Sequence, residues 1–443
     1  MSNIVLDLAL RGQAIKPMNA VNNGPVSGGI RQTPNNFETY KAANIPFARN
    51  HDASFRYEYG GEHTVDVHRI FRNFDADEND PANYIFAPTD ECIRLTIEAG
   101  TQIYYRLGAS IEHDFKFGTY PPKDFAKWAR ICEHIIRHYN EGWADGFHYN
   151  ITYWEIWNEP DCINPDGSTP CWQGTGDQFV ELYCTAAKHL KEQFPYIKVG
   201  GPAFCEPIGE LQDKFLGAIR DRNIPFDFYS FHHYTKHLET MAETIMNADK
   251  ILAEYGLSHA ERILNEWNYV VFWIGEDWLK TIEIEHSLKA ASFIAGAMCQ
   301  CQALPLSMLM YYDAGAGSEM NGMFEYWTYK PLKGYYPFVM FDKLVKCGIQ
   351  VPTDYVVDNI YSCAAADDEK AALMLTYYND DDTLPAKDVC VAVKNAKPGS
   401  KVSCYLLDDA NDLTLMRTEY CTAENFDLHL NTTLHASWLV TIE

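Results

Sequence analysis

Eight apolar, β-rich runs alternate with helical stretches between residues 12 and 347, and after Gly348 short strands recur at roughly 10-residue spacing. Together these patterns predict a (β/α)8 barrel joined to a β-sandwich. No Gly-x-Gly-x-x-Gly follows the first run, which argues against an open dinucleotide-binding sheet. The barrel is expected over 12–347. The sandwich is expected over 348–443, together with an N-terminal strand within 1–11.

Taken in order, Ile4–Leu10 alternates apolar and polar residues, as a half-buried strand would, and is expected to return to the C-terminal sheet. The barrel strands are expected at Ala14–Ala20, Ile45–Asn50, Thr101–Leu107, Ile151–Trp157, Ile197–Gly201, Phe226–Phe231, Arg262–Trp267 and Leu306–Tyr312. Helices are expected between them at Phe37–Ala43, Thr89–Ala99, Pro122–Glu141, Gln178–Phe194, Glu210–Asp221, Leu238–Tyr255, Ile282–Cys301 and Tyr336–Cys347. The sandwich strands are expected at Asn359–Ala364, Ala371–Tyr377, Asp388–Lys394, Lys401–Leu407, Leu413–Tyr420 and Ser437–Ile442. Aspartates cluster between these last strands, as in Asp380–Asp382, and are expected to be solvated hairpin turns.

Charge narrows the function. The 443 residues carry 36 Lys and Arg against 61 Asp and Glu, a formal −25. Such a surface repels phosphate backbones and anionic lipid, which sets nucleic acid and membrane aside as partners. Aromatic residues make up 14% of the chain and suit the flat apolar faces of sugar rings. No apolar stretch reaches the ~18–20 residues of a bilayer span. Met1–Asp7 lacks a basic n-region, so no secretory signal is expected. Thirteen scattered cysteines are expected to be reduced thiols of a cytoplasmic protein. Oligomeric state stays open, a homo-oligomer included.

In a barrel, catalytic groups stand where strands end at the C-terminal face. The fourth strand opens into Asn158-Glu159-Pro160 and the seventh into Glu266-Trp267-Asn268. These two strand ends face each other across the mouth. Glycoside cleavage requires such a pair, one carboxylic acid to protonate the departing oxygen and one carboxylate to meet charge at the anomeric carbon. An ionised Glu266 is expected to raise the Glu159 pKa and keep it protonated. Glu155, nearer mid-strand, is expected to be structural.

These residues carry a resemblance. Ala48–His51, Pro121–Trp128, Glu155–Pro160, Lys198–Pro202, Asp227–His232 and Glu266–Asn268 resemble glycoside hydrolase family 39, which holds β-xylosidases and α-L-iduronidase among retaining (β/α)8 glycosidases. The resemblance implies Glu159 as acid/base and Glu266 as nucleophile, with Asn158 on the sugar 2-hydroxyl. It also favours His232 over His233 as the residue facing the mouth. Three places depart from the β-xylosidase pattern, at Asn265, Phe231 and Tyr311–Asp313, and all are expected around the sugar-binding subsite.

Further substrate-binding residues are expected at His51, Asp52, Tyr234, Trp267, Tyr311, Tyr312, Asp313 and Glu325. The segment from Asp52 to Pro88 is expected to wall one side of the mouth. His63 and His68 lack metal-site spacing, so neither metal nor cofactor is expected. The expected function is a retaining exo-glycosidase of β-xylosidase type acting on short oligosaccharides or glycosides. An endo-glycanase of the same clan is the alternative, as is an exo-enzyme for arabinose, galactose or a uronic acid.

Overall fold

The computed structural model describes residues 2–26, 35–52, 63–112 and 115–443. Strand β1 (Ser2–Asp7) precedes a closed parallel barrel. Its strands are β2 (Ala20–Asn22), β3 (Phe47–Arg49), β4 (Gln102–Leu107), β5 (Tyr153–Ile156), β6 (Lys198–Phe204), β7 (Phe228–His232), β8 (Glu261–Glu266) and β9 (Met308–Tyr311). Around it lie α1 (Phe37–Ala42), α2 (Val67–Ile70), α3 (Ala87–Glu98), α4 (Phe125–Glu141), α5 (Gly176–Gln193), α6 (Glu210–Asp221), α7 (Leu238–Glu254), α8 (Gly275–Glu285), α9 (Leu288–Ala303) and α10 (Tyr336–Cys347). Local signals set the helix ends. Asp124 caps α4 on Lys127 N, Gly142 closes it with a φ of 76°, and Thr175 with Gln178 forms a capping box on α5.

Two of the expected barrel elements take a different form. The first barrel strand begins only at Ala20, while Ala14 bridges Ile349 outside the barrel. Pro17 has no N–H to give a central ladder, which places the earlier residues outside it. The helix expected over Ile282–Cys301 is two, because Ser287 starts a new one by accepting from Lys289 N.

The barrel interior is layered by the two-residue period of its strands. Ala20, Phe47, Tyr104, Tyr153, Phe228, Ile263, Met308 and Met310 form an apolar floor. Two residues further along their strands, Asn22, Arg49, Arg106, Glu155, Ser230 and Asn265 form a buried polar layer under the mouth.

The C-terminal strands are β10 (Ile349–Val351), β11 (Val356–Val357), β12 (Ile360–Ala366), β13 (Ala371–Tyr377), β14 (Lys387–Lys394), β15 (Lys401–Leu407), β16 (Thr414–Tyr420), β17 (Phe426–Thr432) and β18 (Ser437–Ile442). One sheet runs β10-β12-β13-β18-β15-β16, with β11 beside β12. The other runs β1-β14-β17, and β1 does return, pairing parallel with β14 from Ser2↔Val389 to Asp7↔Lys394. Strand β17 was not expected, although Phe426, Leu428 and Leu430 alternate with polar residues.

Strands β12 and β13 are buried on both faces. Ile360, Ala364, Leu373 and Leu375 point into the sandwich, while Tyr361, Cys363, Ala365 and Met374 join the barrel's core. Helix α9, which packs on both strands, is buried from Leu288 to Gln302 except at Lys289. A helix apolar on all sides needs cover on all sides. The acidic turns divide in two. Asp367 and Asp408 cap their own turns as expected. Asp380 instead reaches the barrel, pairing with Lys236 at 2.8 Å and Lys289 at 2.9 Å and accepting from the Tyr269 hydroxyl at 2.6 Å.

Candidate active site

Glu155 anchors the polar layer. Its Oε2 accepts from Arg49 Nε at 2.6 Å, and its Oε1 accepts from Tyr104, Ser230 and Asn265 at 2.9, 2.6 and 2.7 Å. The structural role expected for Glu155 matches this position. Arg49 carries the connection upward. Its Nη1 donates to Glu266 Oε1 at 2.5 Å and its Nη2 to Asn158 Oδ1 at 2.6 Å. With its carbonyl held, Asn158 has its amide NH2 left to donate.

The loop after β5 delivers Glu159. Trp157 and Glu159 both hold left-handed φ values, 77° and 44°. Such backbone costs about 1–3 kcal/mol per residue, and it is concentrated on the turn that aims the carboxyl. Glu159 N donates to Ala203 O at 2.9 Å. The side chain meets His232, whose Nδ1 lies 2.7 Å from Glu159 Oε1 and 3.4 Å from Glu266 Oε2. Oxygens of Glu159 and Glu266 and the His232 nitrogen all fall within 4.8 Å of one another. Tyr234 donates to Glu266 Oε2 at 2.8 Å.

Electrostatics separate the two carboxyls. Burial pushes Glu159 up to about 8, with Cys162 adding to it. Burial also raises Glu266, opposed by His232 and Arg49. The expected cause of the Glu159 shift, repulsion by Glu266, is therefore not the leading one. Arg49 sits directly on Glu266 and cancels much of its field. Burial lowers His232 to about 4, leaving it neutral near pH 7.

His51 and Asp52 stand beside Glu266. Arg106 Nε donates to His51 Nδ1 at 3.1 Å, and His51 Nε2 faces Asp52 Oδ2 at 3.3 Å and Glu266 Oε1 at 3.6 Å. Burial holds His51 well below the usual histidine range, with Arg49 and Arg106 reinforcing it. Burial disfavours the Asp52 carboxylate, yet His51, His63 and the Tyr312 hydroxyl hold it well below the usual carboxylate range. Tyr312 donates to Asp52 Oδ2 at 2.8 Å. A cavity of about 230 Å³ adjoins this group, lined by Asn23, Asn50, Asp52, Tyr312, Asp313 and Ser318 among others. Asn23 Oδ1, Asn50 Nδ2 and Asp313 Oδ1 are buried and accept or donate no hydrogen bond among the described residues. Burial lifts Asp313 to about 7.

Other expected residues lie elsewhere. Trp267 is fully buried against Phe293 and Tyr311, so its ring is core and no platform. A bulge explains it. His232 pairs with Glu266 while Phe231 pairs with Leu264, so Asn265 is an extra residue in β8. That extra residue keeps Asn265 in the Glu155 layer, sends Glu266 to the mouth and flips Trp267 outward. Tyr311 is also core, packed on Phe338 and bonded to Asn268 and Gly322. Glu325 caps its own loop on Trp327 N and Thr328 N. Among the departures from the β-xylosidase pattern, Asn265 belongs to the Glu155 layer and Phe231 to the core, so neither lies at the subsite. His233 turns away from the mouth to Thr240 and Thr244. His63 faces Asp52 at 3.4 Å, whereas His68 packs edge-on to Phe117. Residues 53–62 of the expected wall lie outside the described residues.

Reasoning from sequence missed Arg49 and Arg106, although an arginine in register with inward-facing strand residues needs a buried carboxylate. It also missed Trp273, 48% exposed with its ring 4.9 Å from that of Tyr234. Three thiols beside Glu159, from Cys162, Cys171 and Cys205, were read only as reduced thiols, with no place at the site.

A closed eight-stranded barrel with two glutamates converging from its fourth and seventh strands defines a carboxylate-pair (β/α)8 protein. Residues 42–298 match the profile of Glycosyl hydrolases family 39. The chain belongs to that family. It is 30% identical over 193 residues to a beta-xylosidase of Geobacillus stearothermophilus, a match covering 41% of this chain and 36% of that relative. Its fold is similar to a glucosidase from Croceicoccus marinus, with a TM-score of 0.81 at 18% identity, covering 100% of this chain and 99% of that one. It is also similar to a monomeric beta-xylosidase from Caulobacter crescentus CB15, with a TM-score of 0.72 at 14% identity over 100% and 99% of the two chains.

Proposed function

We propose that the protein is a retaining exo-glycosidase, β-xylosidase-like, that removes a terminal neutral sugar from short oligosaccharides or glycosides. The convergence of the Glu159 and Glu266 carboxyls, with their nearest oxygens within 4.8 Å of each other, carries the two-carboxylate reading and supports retention. Retaining centres hold their carboxyls about 5–5.5 Å apart, whereas inverting ones leave ~6.5–9.5 Å for a water.

In the first half-reaction Glu266 attacks the anomeric carbon while Glu159, protonated near neutral pH, gives its proton to the leaving oxygen. Arg49 and Tyr234 favour the ionised form of Glu266 and orient it. Once Glu266 is an ester, Glu159 takes a proton from water, and the hydroxide equivalent releases the sugar and restores both carboxyls. Asn158 suits the sugar 2-hydroxyl, and His51 and Asp52 suit the neighbouring hydroxyls. The ionised Asp52 carboxylate beside His51 and Glu266 favours neutral sugars over uronic acids. The beta-xylosidase relative supports xylose as the first sugar to try.

The test is a panel of aryl glycosides, with the first-formed anomer read by NMR. A product of the substrate's own configuration is expected, as is restored turnover of Glu266→Ala by azide with an α-azide formed from a β-glycoside. An inverted first product would overturn the retaining mechanism. Rapid viscosity loss of a long polymer with little monosaccharide release would overturn exo action.

A further inference from the structure

Three cysteine side chains surround the Glu159 carboxyl. Cys162 follows Glu159 in the same turn, its N–H donating to Glu159 O at 3.1 Å. Cys171 comes later in the same loop and donates its thiol to Glu159 Oε2 at 3.7 Å. Cys205 comes from the end of β6, where its N–H donates to Asp161 Oδ1 at 3.0 Å and fixes its backbone. A Glu159 oxygen and the sulfurs of Cys162 and Cys205 lie within 4.8 Å of one another. Cys171 is buried, and Cys162, Cys205 and Glu159 are half-buried at the open face of the barrel. None of the thirteen cysteines forms a disulfide.

We propose that Glu159, Cys162 and Cys205, with Cys171 as fourth donor, form a binding site for a thiophilic divalent ion of the Zn2+ class, whose occupation takes the Glu159 carboxyl out of use. Tetrahedral zinc with sulfur arms of about 2.3 Å needs donor separations of about 3.7 Å, reachable here by small side-chain rotations. Three sulfurs and one carboxylate oxygen are a donor set suited to such an ion and poor for Mg2+ or Ca2+. Binding releases the thiol protons and the Glu159 carboxyl proton to solvent and changes no oxidation state. The ion and a bound leaving group compete for the same carboxyl, so the metal acts as an inhibitor that substrate displaces. The binding site needs Glu159 only as a ligand. Its effect on turnover rests on the acid/base role proposed above.

Cd2+ is the probe, added to the full chain in chelator-treated buffer with a phosphine reductant that keeps every thiol reduced. One equivalent is expected to raise the ultraviolet charge-transfer absorbance of a cadmium thiolate and to suppress aryl-glycoside turnover, with substrate relieving the suppression. Cys162→Ser and Cys205→Ser, each compared with its own metal-free rate and checked for fold by circular dichroism, are expected to bind Cd2+ at least ~10-fold more weakly. Absence of the thiolate band in the unaltered protein, or an unchanged band and affinity in both variants, would overturn the site. A full band that both variants lose, with turnover unaffected by Cd2+, would uphold the metal site and remove Glu159 from the chemistry. Activity lost only in a parallel sample without the reductant, with neither thiolate band nor inhibition by Cd2+ when the reductant is present, would assign the cluster to disulfide formation and overturn the proposal.

Discussion

Arg106 donates its Nε–H to His51 Nδ1 across 3.1 Å, which leaves His51 the tautomer carrying its proton on Nε2, toward Glu266 and Asp52. Since burial keeps the ring neutral, His51 is a fixed donor and not a proton shuttle. His51→Ala is expected to lower kcat/KM by roughly 10–100-fold, the loss of a hydrogen bond to a charged partner. His51→Gln, which returns a donor near the same point, is expected to recover part of it. Equal losses in the two variants would show that the donor does not matter.

The proposed chemistry needs Glu159 protonated and Glu266 ionised. Because Glu159 is pushed up to about 8, kcat/KM is expected to fall as pH rises through about 8. On the acid side the rate is expected to fall at a pH above the ordinary glutamate value, because Glu266 is raised. Glu159→Gln, assayed on an aryl glycoside with a good leaving group, is expected to lose the alkaline limb and keep the acid one. An alkaline limb that survives in this variant would assign it to another group.

Glu155→Gln tests the polar layer. The four groups around this carboxylate all donate, and the amide would turn one acceptor into a fifth donor while stripping a buried charge from Arg49. A destabilisation of about 3–5 kcal/mol is expected, read by denaturant unfolding. A variant as stable as the parent would contradict the arrangement of the layer.

Asp380 tests the contact between sheet and barrel. Burial opposes its ionisation, but Lys236, Tyr269 and Lys289 hold it down at about 2. A depressed carboxylate stabilises the fold above its unfolded pKa of about 3.9, and that contribution fades as pH falls toward 2. Asp380→Asn is expected to cost about 1–2 kcal/mol at pH 7, a Tm drop of about 2–4 °C, and to match the parent at pH 2. A difference that persists unchanged at pH 2 would show that charge is not the cause.

Much of this was legible in the sequence because strand ends are short-range signals. Asn158-Glu159-Pro160 and Glu266-Trp267-Asn268 announce themselves by residue type and by place in the alternation, and the two glutamates do converge. Trp267 was misplaced because the bulge at Asn265 depends on the neighbouring strand, and no pattern within β8 reveals it. Tyr311 is different. Simple alternation from Met308 and Met310 already puts it outward, so that signal was present. Arg49 lies two residues after Phe47, and only the closed barrel brings it between Glu155 and Glu266. The thiols near Glu159 come from two stretches of chain, the loop after β5 and the end of β6, whose meeting no spacing in one dimension records.

Helix α9 has a further consequence. Because β12 and β13 cover what would be its outer side, the connection between the barrel's seventh and eighth strands includes a helix that is buried over nearly its whole length. A chain ending near Cys347 would expose that apolar cylinder and lose the partner of Lys289. The C-terminal sheet therefore serves as part of the barrel's own outer wall, and heat or denaturant should dissolve the two together as one cooperative body.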